Sequence, residues 1–167
     1  MIYNIYPTKD ATLYDYSASM NTGMDEILEI EKTNTLATSI HKSRALLGFS
    51  WGTAETELEA LPRWGDKAGS SYHLRLYTAK AKAIPYSYKL EARHIAPEES
   101  WEMGIGKRAH SPVTTKGVSW GFRDYSGSTA WTTPGGHFYA GVVNQTQSFE
   151  FESTDVKINV SSSIKRW

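Results

Sequence analysis

Apolar positions along this chain recur with a period of two or in short unbroken runs, with turn residues between them. That pattern predicts strands and leaves little room for helices. Residues 2–6 (IYNIY) read as a first short strand, closed by Pro7. Residues 11–16 (ATLYDY) read as a second. Residues 17–24 hold Asn21-Thr22-Gly23 and read as a loop. In residues 26–31 (EILEIE) charges interleave with Ile27, Leu28 and Ile30, which suits an edge or a solvent-facing strand. Residues 43–50 (SRALLGFS) form a nearly continuous apolar run and predict a central strand.

Residues 53–61 (TAETELEAL) are the one stretch rich in helix formers, and they stop at Pro62, so one or two helical turns are predicted. Residues 71–78 alternate, with Tyr72, Leu74 and Leu76 on one face and His73, Arg75 and Tyr77 on the other. Residues 86–94 alternate again, and the two segments suggest an antiparallel neighbouring pair. Residues 137–143, 147–151 and 156–160 are strand-like, and residues 161–167 turn polar. About nine or ten short strands with at most one short helix define an all-β chain, a two-sheet antiparallel sandwich or jelly roll. Crossover helices for a parallel α/β fold are missing. No repeat or linker divides the sequence, so residues 1–167 are expected to form one domain.

Composition narrows the chemistry. The chain has 167 residues, no cysteine, and 18 basic against 18 acidic side chains. Disulfide stapling and thiolate metal sites are out of reach. A zero net charge disfavours nucleic acid as a partner, because phosphate affinity accumulates from Lys and Arg. No apolar run is long enough to span a membrane. Residues 1–6 lack the basic and apolar parts of a signal peptide, so a chain kept in the cytoplasm, or assembled there, is expected.

Catalytic motifs do not emerge, and no enzyme is expected. A cysteine nucleophile cannot exist in a chain without cysteine. The adjacent acids Asp25-Glu26 and Glu98-Glu99 cannot flank a sugar as a pair, since neighbours on a strand point to opposite faces, so they read as solvated loop acids. His41, His73, His94, His110 and His137 show no metal-ligand spacing. No cofactor is expected. Residues 21–25 and Asp124 offer oxygens toward a structural calcium ion, without the usual Asp-rich loop. Residues 104–108 (GIGKR) are glycine-rich but lack a phosphate-loop pattern and read as a plain loop.

The strongest feature is residues 97–136, with three Trp and seven Gly. Trp101, Trp120 and Trp131 are spaced anchors, and Arg123-Asp124 lies between the last two. Buried, the rings plug a sandwich while glycines allow tight turns and Arg123-Asp124 braces a loop. Exposed, Trp101, Trp120, Arg123, Asp124 and Trp131 form a contact platform for a glycan or a protein partner.

The order WxxGxG (101–106), GVxW (117–120), RD (123–124) and AWxxPGG (130–136) resembles the DNRLRE-type β-sandwich domain, which is grouped with carbohydrate-binding modules. Residues 10–13 (DATL), the Asn21-Thr22-Gly23 loop, residues 43–49 (SRALLGF) and residues 74–77 (LRLY) resemble that family's upstream strands in the same order. The variant with MNTGMDEILEIEK near its start (residues 20–32) resembles structural proteins of tailed bacteriophages, especially those of cyanobacteria and other marine hosts. The resemblance implies a jelly-roll virion protein in a capsid decoration, neck or tail. Its partners would be other virion subunits in a symmetric assembly, and it implies no catalytic residue. A host surface glycan is the alternative partner. Members of that family usually continue past the strand matching residues 155–160, so the resemblance also implies a longer natural chain or completion of the sheet by a neighbouring subunit.

Overall fold

The computed structural model describes residues 2–36, 39–50, 70–82, 84–110, 116–141, 145–151 and 155–164. Among these the all-β expectation holds. Nine strands pair in small antiparallel sheets, and helix is confined to a 3-10 turn at Arg108–His110 and to α1, Ser161–Ile164. No helix among the described residues is long and apolar enough to cross a membrane. The chain forms two compact units, one from Met1–Gly52 with Ala96–His137 and the other from Thr53–Ile95 with Phe138–Trp167.

In the first unit β1 (Lys9–Tyr14), β2 (Lys32–Leu36) and β3 (Ser39–Gly48) form a sheet in the order β1-β3-β2. The apolar run at 43–50 is indeed central, with Leu46 opposite Ala11 and Arg44 opposite Leu13. Four consecutive residues of β1, Ala11 to Tyr14, are buried. Both its faces and its outer edge are therefore covered. The Thr22 hydroxyl accepts from the Thr12 N–H and donates to the Thr12 carbonyl, each at 2.8 Å. One side chain thus satisfies both backbone groups that a further strand would use. Among the described residues, the hairpin of β6 (Phe122–Asp124) and β7 (Thr129–Ala130) completes the strands of this unit.

Two expected strands are absent. Residues 2–6 lie in no strand, although the Thr8 N–H reaches the Gly48 carbonyl at 2.8 Å. Pro7 has no N–H to donate, so it ends the ladder there. Residues 26–31 are not a strand either, because hydroxyls occupy their ladder groups. The Glu29 N–H donates to Thr12 Oγ1 (3.0 Å), the Glu31 N–H donates to Ser43 Oγ (2.8 Å), and Ser43 Oγ donates to the Glu29 carbonyl (2.8 Å).

In the second unit β4 (His73–Leu76) pairs with β9 (Val156–Asn159), and β5 (Ser87–Glu91) pairs with β8 (Thr146–Glu150). This corrects the expected pairing of the segments 71–78 and 86–94. Each takes its partner from the last part of the chain instead. The two ladders share a core of Phe149, Val156 and Ile158, packed by Leu76, Tyr88, Leu90 and Val160. Tyr88 stacks on its cross-strand partner Phe149 with centroids 4.7 Å apart. The Gln147 carboxamide links the ladders, accepting from the Lys157 N–H at 2.6 Å and donating to the Asp155 carbonyl at 3.3 Å. Within 137–143 the described residues contribute only a bridge between Phe138 and Ile95. The helix expected at 53–61 lies outside the described residues.

Candidate contact site

The glycine-rich segments converge on Asn21, which is fully buried. Its amide nitrogen donates to the carbonyls of Met103 and Val118, both at 2.7 Å. Its oxygen accepts from the N–H groups of Gly106 (2.7 Å) and Gly23 (3.3 Å). The residue offered at the sequence level to a calcium ion is thus the hub of a backbone lock. Gly104 and Gly117 close it at positive φ, 80° and 94°. A Cβ on Gly117 would lie 2.3 Å from the Gly104 Cα, so the two backbones meet only because both are glycine.

This lock sets the tryptophans. Trp101 and Trp131 are buried, at 6% and 4% exposure. Lys9 lies over the Trp101 ring with its ammonium 4.4 Å from the centroid, and also donates to the Trp101 carbonyl. The Trp131 indole N–H donates to the buried Ser119 carbonyl at 2.9 Å. Both rings therefore act as plugs of the first unit. Trp120 is half-buried and differs in kind. Arg44 and Lys42, on one face of β3, lie 4.9 and 5.7 Å from its centroid. Arg44 Nη1 donates to the Gly135 carbonyl at 2.6 Å, and the Gly135 N–H donates to the Trp120 carbonyl at 2.7 Å. A Cβ on Gly135 would lie 2.8 Å from the indole, which explains the glycine at this point of AWxxPGG.

Arg123 and Asp124 brace loops. Arg123 Nη1 donates to the Ser100 carbonyl at 3.1 Å, and the Arg123 carbonyl accepts from the Glu102 N–H at 3.0 Å. Asp124 accepts from the Ser126 hydroxyl (2.7 Å) and N–H (3.1 Å) at the β6–β7 turn. Glu99 departs from the expectation of a solvated loop acid, for it is 4% exposed. Its Oε1 accepts from the Thr132 N–H at 3.1 Å, and its Oε2 lies 4.0 Å from Arg123 Nε. A second polar cluster joins Tyr14, Tyr16, Glu29 and Arg108. Tyr14 donates to Glu29 Oε2 at 2.8 Å beneath the Arg108 guanidinium, 4.8 Å from the ring centroid. Burial first, then the Glu29 hydrogen bond, push the Tyr14 phenol well up from its ordinary value.

The Ser126 hydroxyl, helped by backbone N–H groups, holds the Asp124 carboxyl below the usual aspartate range. Its value in the folded chain is then lower than in the unfolded chain. The stability it contributes is present above about pH 4, and is lost as pH falls through the folded-state value. Asp124→Asn is expected to flatten this acid limb in thermal melts recorded from about pH 2 to about pH 5. An unchanged limb would remove Asp124 as a source.

No family model matches the chain, and no curated protein or solved structure is significantly similar to it. The likeness to the DNRLRE-type domain therefore stands on the ordered motifs alone.

Proposed function

We propose that this chain is a non-enzymatic structural protein of a tailed-phage virion, built as a jelly-roll sandwich and acting through protein–protein contacts. It would be assembled in the host cytoplasm into a capsid decoration, neck or tail. The observation that carries this reading is where large apolar side chains lie. Trp101 and Trp131 are buried, while Ile2, Tyr6, Tyr77, Tyr86, Ile105 and Phe151 are exposed. Exposed apolar side chains in this number suit a protein covered by neighbours. The two ladders that share the Phe149 core support the sandwich, as two small sheets packed through apolar faces. Mass spectrometry of purified virions is the test, with this chain expected at stoichiometric level; its absence overturns the proposal.

A second reading, an adhesion module for a host surface glycan, is favoured by Trp120. That ring keeps exposed surface beside Lys42. It predicts retardation of the chain in gels containing host polysaccharide. Trp120→Ala should abolish the retardation, with the fold intact by circular dichroism. Equal mobility with and without polysaccharide would end this reading.

A further inference from the structure

We propose that Lys32, Lys42 and the Trp120 ring form a site for an acidic sugar, a uronate or sulfated residue of a host surface polysaccharide. The inference rests on the glycan reading and names the class of sugar. It starts from the register of β2 on β3. Lys32 stands directly opposite Lys42, and both side chains are exposed. Opposed like charges on neighbouring strands repel and cost stability. The chain has 18 acidic side chains with which to relieve that repulsion, yet among the described residues neither ammonium has an ion-pair partner. Asp15 comes near, but its carboxylate accepts from the Lys42 backbone N–H at 3.0 Å and faces His41 at 3.4 Å.

Edge protection does not account for the pair. A charge on β2 suffices to guard that edge, and Lys42 belongs to the central strand. Alternation puts Arg44 on the same face as Lys42, so three cations share one face of the sheet. Trp120 lies against that face, with the Lys42 ammonium 5.7 Å and the Arg44 guanidinium 4.9 Å from the ring centroid. Arg44 is engaged by the Gly135 carbonyl, and the Gly135 N–H in turn holds the Trp120 carbonyl. Arg44 therefore positions the ring, while the two lysines keep their charge for a ligand.

That combination selects its occupant. The C–H groups of a pyranose give it an apolar face that lies flat on an indole, and its charged substituent projects at the rim. A carboxylate or sulfate there meets Lys42 across the width of one sugar, with Lys32 beside it. A neutral sugar would leave the lysines unused. An acidic peptide such as polyglutamate would use the lysines and leave the indole. Nucleic acid also stacks on aromatic rings, but its affinity accumulates over many phosphates, and a chain of zero net charge offers few partners for them.

Binding of the full chain to immobilised polymers tests the site. Dextran sulfate or alginate should retain it, dextran should not, and salt raised from about 50 to about 500 mM should release it. The tighter of the two acidic polymers tells sulfate from carboxylate. Lys32→Glu should weaken binding about tenfold to a hundredfold, the worth of a hydrogen bond to a charged group. It should not lower the melting temperature, because an opposed Glu–Lys pair replaces the like-charged one. Trp120→Ala should release the chain as well. Lys89→Glu, the same change of charge on β5, should leave binding intact. Equal binding to dextran and dextran sulfate, or binding untouched by Lys32→Glu, overturns the inference and leaves the glycan reading standing, whereas binding to no polysaccharide ends both. Polyglutamate or single-stranded DNA holding the chain as tightly as dextran sulfate also overturns it, as does an equal loss with Lys89→Glu, since charge alone would then account for binding.

Discussion

Asn21→Leu is expected to destabilise the chain by about 3–9 kcal/mol, taking about 1–3 kcal/mol for each of the three buried polar groups left without a partner. Leucine fills a similar volume, so the loss is one of hydrogen bonds rather than of packing. The carbonyls of Met103 and Val118 and the N–H of Gly106 would all lose their partner at once. Against a typical total of about 5–15 kcal/mol this is a large fraction. Asn21→Asp should be worse still, because it turns an anionic oxygen toward two carbonyls. Gly117→Ala attacks the same lock from the other side, through positive φ and backbone contact, and should add to the case. Urea unfolding followed by tryptophan fluorescence measures all three. A loss under about 1 kcal/mol for Asn21→Leu would mean that the lock is not closed in solution.

Trp131→Ala should rank beside it. Truncating a buried indole costs about 3–5 kcal/mol. The Ser119 carbonyl, buried and bonded to the indole N–H, adds about 1–3 kcal/mol when stranded. Trp131→Phe separates the two, for it keeps most of the ring and removes the donor. Trp120→Ala should cost far less, about 1 kcal/mol, since a half-exposed ring loses chiefly its contacts with Arg44 and Lys42. The ranking is the measurement that matters. If Trp120→Ala proved the more damaging change, the division into two plugs and one surface ring would fall.

The sequence made some of this legible, and physical reasons divide it from the rest. β3 was readable because an apolar run flanked by polar residues belongs in the middle of a sheet. β2, with the sequence KTNTL, was not, for a polar edge strand lacks apolar alternation and exists because β3 offers it a ladder. The alternation at 71–78 and 86–94 correctly marked strands. Alternation tells which face is buried and says nothing about the neighbour, so the pairing with β9 and β8 was out of reach. The Trp-rich segment was recognisable as a feature, while the burial of its rings was not, because ring size alone does not say which side faces water. Asn21 was visible only as a loop residue with an oxygen to offer a cation. Its partners lie at Met103 and Val118, and no local period carries a contact across such a stretch of chain. Glu99 was misjudged for the same reason, since Thr132 and Arg123 hold it from far along the sequence.

The way the chain is divided between its two units bears on how it is made. Each unit is assembled from two separated stretches, Met1–Gly52 with Ala96–His137 and Thr53–Ile95 with Phe138–Trp167. On the ribosome, β1 and β3 can meet early, but Asn21 has nothing to grip until residues 103–118 have emerged. β4 and β5 wait longer, holding Leu74, Leu76, Tyr88 and Leu90 uncovered until β8 and β9 are synthesised. Late, non-local closure of this kind slows folding and lengthens the time for which apolar strands are open to wrong partners. Refolding yield should therefore fall steeply as protein concentration rises.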